Sequence, residues 1–195
     1  MNQTATAAAP RHQRLSDATD ALHEHLHGVV ASLAPFDSRD NFARFAAVQY
    51  IFQCEIEPLY ARPALQALLP DLQSRSRRSA VAADLADLGR SLPSVEDGLA
   101  ATLDVPAAIG WLFVSEGSTL GAAMLLKRAQ ALGLTETFGA RHLAPDPAGR
   151  GKHWKRFVDA LDGLELDDGD DAGLIEGARS AFLHFGTLLE QARRS

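Results

Sequence analysis

The 195-residue sequence has little cysteine and few aromatic residues, and it lacks a long uninterrupted apolar run. The single cysteine, Cys54, excludes an internal disulfide, which fits a reducing compartment. The longest apolar stretch, near residues 109–114, ends at Ser115 and falls far short of the roughly 20 residues that span a bilayer. The first ten residues lack the apolar segment of a secretory signal. These absences predict a cytoplasmic protein without a membrane segment.

Basic residues are also in the minority. The 19 Lys and Arg stand against 25 Asp and Glu, so the formal net charge is -6. Nucleic acids and anionic membranes are bound by basic surfaces, and neither is therefore a predicted partner. A chain of this length has room for one domain with a sizeable core. We predict a single domain over residues 11–195, preceded by a disordered tail over residues 1–10.

What the sequence does contain is helical periodicity, and no strand-like alternation of useful length. One apolar stripe ends before a proline, and its residues follow one another at steps of seven, four, three and four: Leu15, Leu22, Leu26, Val29 and Leu33. The glycine- and proline-rich residues 139–151 and the acidic residues 162–171 are predicted to be loops. We predict an all-α fold with helices at about residues 16–34, 41–57, 72–88, a short one from Ser94, 105–132, 152–161 and 172–194.

Four histidines lie in or near the first predicted helix: His12, His23, His25 and His27. His23 stands at the margin of the apolar stripe, whereas His25 lies about 200° away round the helix. A histidine at the edge of an apolar face can bind a buried metal ion through one ring nitrogen and offer the other to a partner. The alternative is a solvated polar face on which no histidine has a special role.

The helix after Asp104, the predicted N-cap, contains two glycines in its interior. Gly117 and Gly121 each cost roughly 1 kcal/mol relative to alanine. They are four residues apart and share one helix face, so with Ser118 or Ala122 they form a strip of bare backbone. Such a strip accommodates either a closely packed neighbouring helix, which the sequence alone favours, or a flat ligand.

Four segments resemble the haem oxygenase family, and they occur in the family's order. They are residues 15–23 (LSDATDALH), 114–121 (VSEGSTLG), 125–129 (LLKRA) and 175–183 (IEGARSAFL). The resemblance is to the bacterial, biliverdin-producing branch and extends over nearly the whole chain. It implies a single-domain helical bundle with haem between a proximal N-terminal helix and a glycine-containing distal helix.

The resemblance also implies a reaction and a site. Haem b would be both cofactor and substrate, cleaved with O2 to biliverdin, CO and Fe2+ by electrons from an external reductase or ferredoxin. A biliverdin-binding photoreceptor is a further implied partner. His23 would be the axial iron ligand, and Gly117, Ser118 and Gly121 would act on the distal side. Cations would neutralise the haem propionates; the candidates are Lys155, Arg156 and Arg14.

Two departures from the family's patterns concern the distal side. Ser118 and Thr119 stand where mammalian members carry an aspartate, and Phe113 stands where bacterial members often keep a tyrosine. These changes predict an altered polar network, with a greater effect on rate and regioselectivity than on haem binding.

Three other functions are compatible with parts of the sequence. One is a non-catalytic haem carrier or sensor of the same fold. Another is a helical di-iron oxidase, but that site needs two Glu-x-x-His motifs and we find one, at Glu24 and His27. The third is a helical interaction module in which His23 is merely structural.

Overall fold

The computed structural model describes residues 9–95 and 99–194, which form helices and loops without a β-strand. The predicted all-α class is confirmed. Of the predicted disordered tail, residues 1–8 lie outside the described residues. The α-helices are α1 (Arg11–Ser32), α2 (Arg39–Ala61), α3 (Pro63–Gln66), α4 (Arg78–Asp87), α5 (Val105–Gln130), α6 (Arg150–Asp162) and α7 (Asp168–Arg194). Short 3₁₀ helices cover Leu72–Arg75, Leu99–Thr102 and Arg141–Leu143.

The closest helix packing in the fold joins α5 to α7. A Cβ added at Gly110 would lie 2.2 Å from the carbonyl oxygen of Leu174, and one added at Gly177 would lie 2.3 Å from that of Ala107. Because only glycine fits at both positions, the two backbones touch. The helix α1 packs on α7, and α6 packs on α5 and α1. The long helix α7 therefore holds α1 and α5 in fixed positions relative to each other.

Helix α5 is long and apolar enough to cross a membrane by length and composition, and it is the one such helix among the described residues. Half of its most apolar window is buried inside the protein. Trp111 and Leu112 are completely buried in the main core cluster. This burial is typical of the core helix of a globular domain.

Local signals placed several helix ends correctly. Asp104 caps α5 by accepting a hydrogen bond from the N–H of Ala107 at 2.9 Å, and Gly133 follows the helix with a φ of +74°. The last helix, α7, begins at Asp168 rather than near residue 172. The reason is that a carboxylate oxygen of Asp167 accepts a hydrogen bond from the N–H of Asp170 at 2.8 Å.

The continuous helix predicted over residues 72–88 is wrong. A 3₁₀ turn ends at Arg75, α4 begins at Arg78, and Ser76 and Arg77 between them are not helical. Arg75 and Arg77 would point about 200° apart on one helix, yet both side chains reach towards α5. The break lets both make these contacts.

The start of α1 and the short helix predicted from Ser94 also differ from expectation. Helix α1 begins at Arg11, five residues early, because the Arg11 guanidinium donates hydrogen bonds to Asp171 and to the carbonyl of Leu161. Ser94 is not helical, residues 96–98 lie outside the described residues, and a 3₁₀ turn follows at Leu99–Thr102.

Candidate functional site

His23 projects from the middle of α1 and is exposed. Its ring lies 4.3 Å from the ring of His27 and 5.9 Å, edge-on, from the ring of Phe182 on α7 (centroid distances). Its ring nitrogens make no hydrogen bond or ion pair within the described residues. Partial burial and the neighbouring His27 lower its pKa against the opposing charges of Glu24 and Asp20. The neutral imidazole, which is the form that binds metals, is therefore favoured.

The glycine strip of α5 forms an accessible face with its neighbours at helical spacing. Gly121 is exposed, and a Cβ added there would meet no heavy atom within 4 Å. Leu120 and Met124 on the same face are 44% and 71% exposed, which is high for large apolar side chains. A Cβ at Gly117 would lie 3.6 Å from the ring of Trp154, an ordinary contact. The close helix packing that the sequence favoured for this strip is therefore wrong, because that packing occurs at Gly110 instead.

We infer a cleft between this strip and His23 from the packing of the helices. Helices α1 and α5 both pack on α7 and make little direct contact with each other, so α7 forms the floor between them. Phe182 and Leu183 of α7 are partly exposed there, and Leu183 is 57% exposed. The cleft thus has an imidazole on one wall, bare backbone and apolar side chains on the other, and apolar side chains on its floor. These features fit a flat, largely apolar ligand that carries a metal.

A buried polar cluster lies behind the glycine strip, centred on Glu116. The Glu116 carboxylate accepts hydrogen bonds from Arg75 at 2.9 Å and from the hydroxyl of Tyr60 at 3.0 Å. Nε2 of His153 lies 3.2 Å from the same carboxylate, and the hydroxyl of Ser115 lies 2.9 Å from that of Tyr60. This cluster links α5 to α2, α6 and the 3₁₀ turn before α4.

The electrostatics of the cluster keep Glu116 ionised. Burial on its own would raise the pKa of Glu116, but the hydrogen bond from His153 and the charges of Arg77 and Arg75 outweigh it, and the pKa is lowered. Burial, followed by the charge of Glu116, raises the pKa of Tyr60 far above its usual value. Tyr60 is therefore a neutral donor to a carboxylate anion.

Carbonyl groups of α5 on both sides of Gly117 receive hydrogen bonds from side chains. The Ser115 carbonyl accepts from Arg77 and from the hydroxyl of Ser118, both at 2.7 Å. Arg77 also donates to the hydroxyl of Ser118 at 3.0 Å. Ser118, predicted to act on the distal side, is thus held by Arg77 at the edge of the strip.

A second such contact lies one turn further along α5. The hydroxyl of Thr119 donates to the Glu116 carbonyl at 2.6 Å, and Arg150 at the start of α6 donates to the Thr119 carbonyl at 3.0 Å. Hydroxyls that bond back to carbonyls within a helix slightly destabilise it and often bend it. Two arginines from other elements therefore support α5 where its glycines weaken it.

The cations predicted for the propionates already face carboxylates. Arg14 lies nine residues before His23, about two and a half turns, and so on the opposite side of α1. The ion pairs are Arg14 with Asp171, Lys155 with Asp159 at 2.5 Å, and Arg156 with Asp71 at 3.3 Å. By contrast, Lys127 follows Met124 by one turn, is exposed, and makes no ion pair within the described residues.

The carboxylates available for a di-iron centre are engaged elsewhere. Glu55 is hydrogen-bonded to His184 at 2.7 Å, and Glu116 to Arg75. In the part of the chain that the structure describes, no group of three or more His, Cys, Asp or Glu side chains could hold a metal ion.

Sequence reasoning missed the residues that support α5 from behind. No role is predicted from the sequence for Arg75, Arg77, Arg150 or His153. The Arg-rich segment at residues 75–78 could have indicated these contacts. Arginine side chains have long apolar stems, so several of them beside apolar helices are expected to pack partly against the protein.

Comparisons with known proteins agree with the all-α fold. The family model described as Heme oxygenase matches residues 10–191. Heme oxygenase PigA of Pseudomonas aeruginosa is 52% identical over 182 residues, which cover 93% of this chain and 92% of that protein. The crystal structure of NO- and CO-bound heme oxygenase from Neisseria meningitidis superimposes with a TM-score of 0.91 at 38% identity. That match covers 96% of this chain and 94% of the other.

Proposed function

Because this chain belongs to the haem oxygenase family, we propose that haem lies in the cleft between α1 and α5 with His23 as the axial ligand of its iron. The protein is a haem oxygenase, an oxidoreductase that cleaves haem. The observation that carries the site is the exposed imidazole of His23 on α1 together with the bare backbone at Gly121 on α5, because both helices pack on α7.

The protein's own groups bind and orient the ligand. His23 offers a neutral ring nitrogen to the iron, and Gly117 and Gly121 let a flat ring approach the backbone of α5. Leu120 and Met124 cover the ring and exclude water. Haem supplies both the iron that activates O2 and the ring that is opened. Ser118, oriented by Arg77, lies at the distal edge.

Two sets of cations are candidates for binding the haem propionates. The first set was proposed from the sequence: Arg14, Lys155 and Arg156. Each would have to leave or share an aspartate to bind a propionate. Lys127 continues the apolar face of α5 without such a partner, and we propose it as the principal propionate cation.

The proposed products are biliverdin, CO and Fe2+, formed with O2 and with electrons from a separate reductase or ferredoxin. We also propose a cytoplasmic location, from the single cysteine and the acidic composition. A biliverdin-binding photoreceptor is the proposed acceptor of the product.

A haem carrier that does not turn over is the second candidate, and one observation favours it. The hydroxyls of Ser118 and Thr119, which replace the distal aspartate of mammalian members, both donate to carbonyls of α5. Their hydrogens are therefore unavailable to a distal ligand in this conformation.

Turnover of bound haem separates the two functions. Haemin would be added to the purified protein, followed by a reductase or ferredoxin system with catalase present to remove free peroxide. The enzyme converts the bound haem to biliverdin, detected by absorption and chromatography. A stable haem complex without biliverdin would identify a carrier, and the absence of specific haem binding would contradict both functions.

A further inference from the structure

One exposed face of α1 carries four side chains that can bind metals. These side chains are Asp20, His23, Glu24 and His27. The last three follow Asp20 by three, four and seven residues, which places all four on one helix face. All four residues are exposed. His25 lies between them in sequence but points away from this face.

The two imidazoles on this face are already adjacent. The ring centroids of His23 and His27 are 4.3 Å apart. Within the described residues the ring nitrogens of His23 have no polar partner, and Nδ1 of His27 has Glu24 at 3.8 Å. Neither ring must give up a strong hydrogen bond or leave a buried position to turn towards a shared ion.

The spacing is the one by which a helix presents two imidazoles to a single metal ion. Residues 23–27 read His-Glu-x-x-His, and histidines four apart on one helix face bind Zn2+ in that arrangement. Because no group of three or more ligands occurs among the described residues, the protein supplies two ligands here and water completes the shell. Such a site binds metals without the closed geometry of a structural zinc centre.

We propose that His23 and His27 together bind a divalent transition-metal ion such as Zn2+ or Fe2+ in the haem-free protein. Asp20 and Glu24 surround this ion with negative charge. Since His23 also serves as the haem ligand in the function proposed above, the ion and haem compete for the same imidazole.

Because the ion and haem share His23, His27 also has a role when iron leaves the haem. In the proposed reaction, electrons from the separate donor would leave the released iron as a ferrous ion beside His23, and imidazole is a suitable ligand for iron. His27, one turn away, would supply a second imidazole to that ion. This transfer to imidazole would change only the ligands of the ion, with no change in its charge. His27 thereby retains the ferrous product before it leaves the protein.

The test is a calorimetric titration of the haem-free protein with Zn2+ in a buffer that does not bind metals. The wild-type protein should bind one ion, and His27→Ala should bind it at least about tenfold more weakly. His25→Ala, which removes an exposed imidazole from another face of the same helix, should bind it like the wild type. Unchanged affinity in His27→Ala, or equal losses in both variants, would overturn the proposal.

Haem titrations of the same proteins separate this inference from the proposed function. Preloaded Zn2+ should slow haem uptake by the wild type and not by His27→Ala, while both bind haem in its absence. If His23→Ala keeps its haem ligation while Zn2+ binding depends on His27, the haem assignment fails and the metal site stands. If Zn2+ leaves haem uptake by the wild type unchanged, the shared use of His23 is refuted.

Discussion

Arg75 and Glu116 form an ion pair of 2.9 Å in which each side chain is only 1% exposed. The pair lies directly behind Gly117, the first glycine of the strip that faces the cleft. A buried charge is tolerated only when it is paired and hydrogen-bonded, and Tyr60 and His153 complete the shell of this carboxylate. The position of α5 beside the cleft therefore depends on a contact between residues 41 positions apart.

Removal of Arg75 should be strongly destabilising. Arg75→Met leaves the Glu116 carboxylate buried without its closest cation, a change that costs about 3–5 kcal/mol. Urea unfolding measures the loss. Arg90→Met is the matched control, because Arg90 pairs with Asp40 at the surface and such pairs contribute about 1 kcal/mol or less. Similar losses in the two variants would contradict the burial argument.

The same carboxylate predicts an acid dependence of stability. The pKa of Glu116 is lower in the folded protein than in the unfolded chain. Its ionisation therefore contributes stability that is fully present above the unfolded-state pKa and is lost as the pH falls through the folded-state pKa. Glu116→Gln lacks this contribution, so its deficit in unfolding free energy should shrink from neutral pH towards pH values below the ordinary glutamate range. A deficit that is constant with pH would show that the charge of Glu116 does not matter.

Two glycines of α5 should respond in opposite ways to alanine. Gly110→Ala places a Cβ 2.2 Å from a backbone oxygen of α7, and the helices must separate, at a cost of several kcal/mol. Gly121→Ala meets no atom and gains up to about 1 kcal/mol of helix propensity. Thermal unfolding of the haem-free proteins measures both changes. Haem affinity and turnover should nevertheless fall in Gly121→Ala, since the methyl group enters the cleft.

Substitution of single lysines tests which of the proposed cations bind the haem propionates. Lys127→Ala should weaken haem binding, because Lys127 has no other anion to neutralise within the described residues. Lys155→Ala should have little effect, since Lys155 already pairs with Asp159. Haemin titrations followed by absorption give both affinities. A larger loss of haem affinity in Lys155→Ala than in Lys127→Ala would favour the cations proposed from the sequence.

The sequence predicted features that depend on local chemistry. The N-cap Asp104, the apolar stripe that places His23 and the glycine pair on α5 are all governed by neighbours within one or two helical turns. These features, with the ordered segments of family resemblance, were sufficient for the all-α fold and the family.

Features that depend on distant contacts could not be predicted in this way. The helix expected over residues 72–88 breaks because Arg75 and Arg77 bond to α5, about forty positions away. Helical spacing alone could not say whether another helix covers Gly121. The partner of Arg156, Asp71, was equally unpredictable, because an ion pair between distant segments leaves no periodic trace in the sequence.

The most direct test of the haem site compares the absorption spectra of haemin complexes of the wild type, His23→Ala and His25→Ala. We expect His23→Ala to lose the spectrum of a histidine-ligated haem and to recover it when free imidazole is added. His25→Ala should match the wild type, because His25 projects away from the cleft. An unchanged spectrum in His23→Ala, or equal losses in the two variants, would contradict the assignment of His23 as the axial ligand.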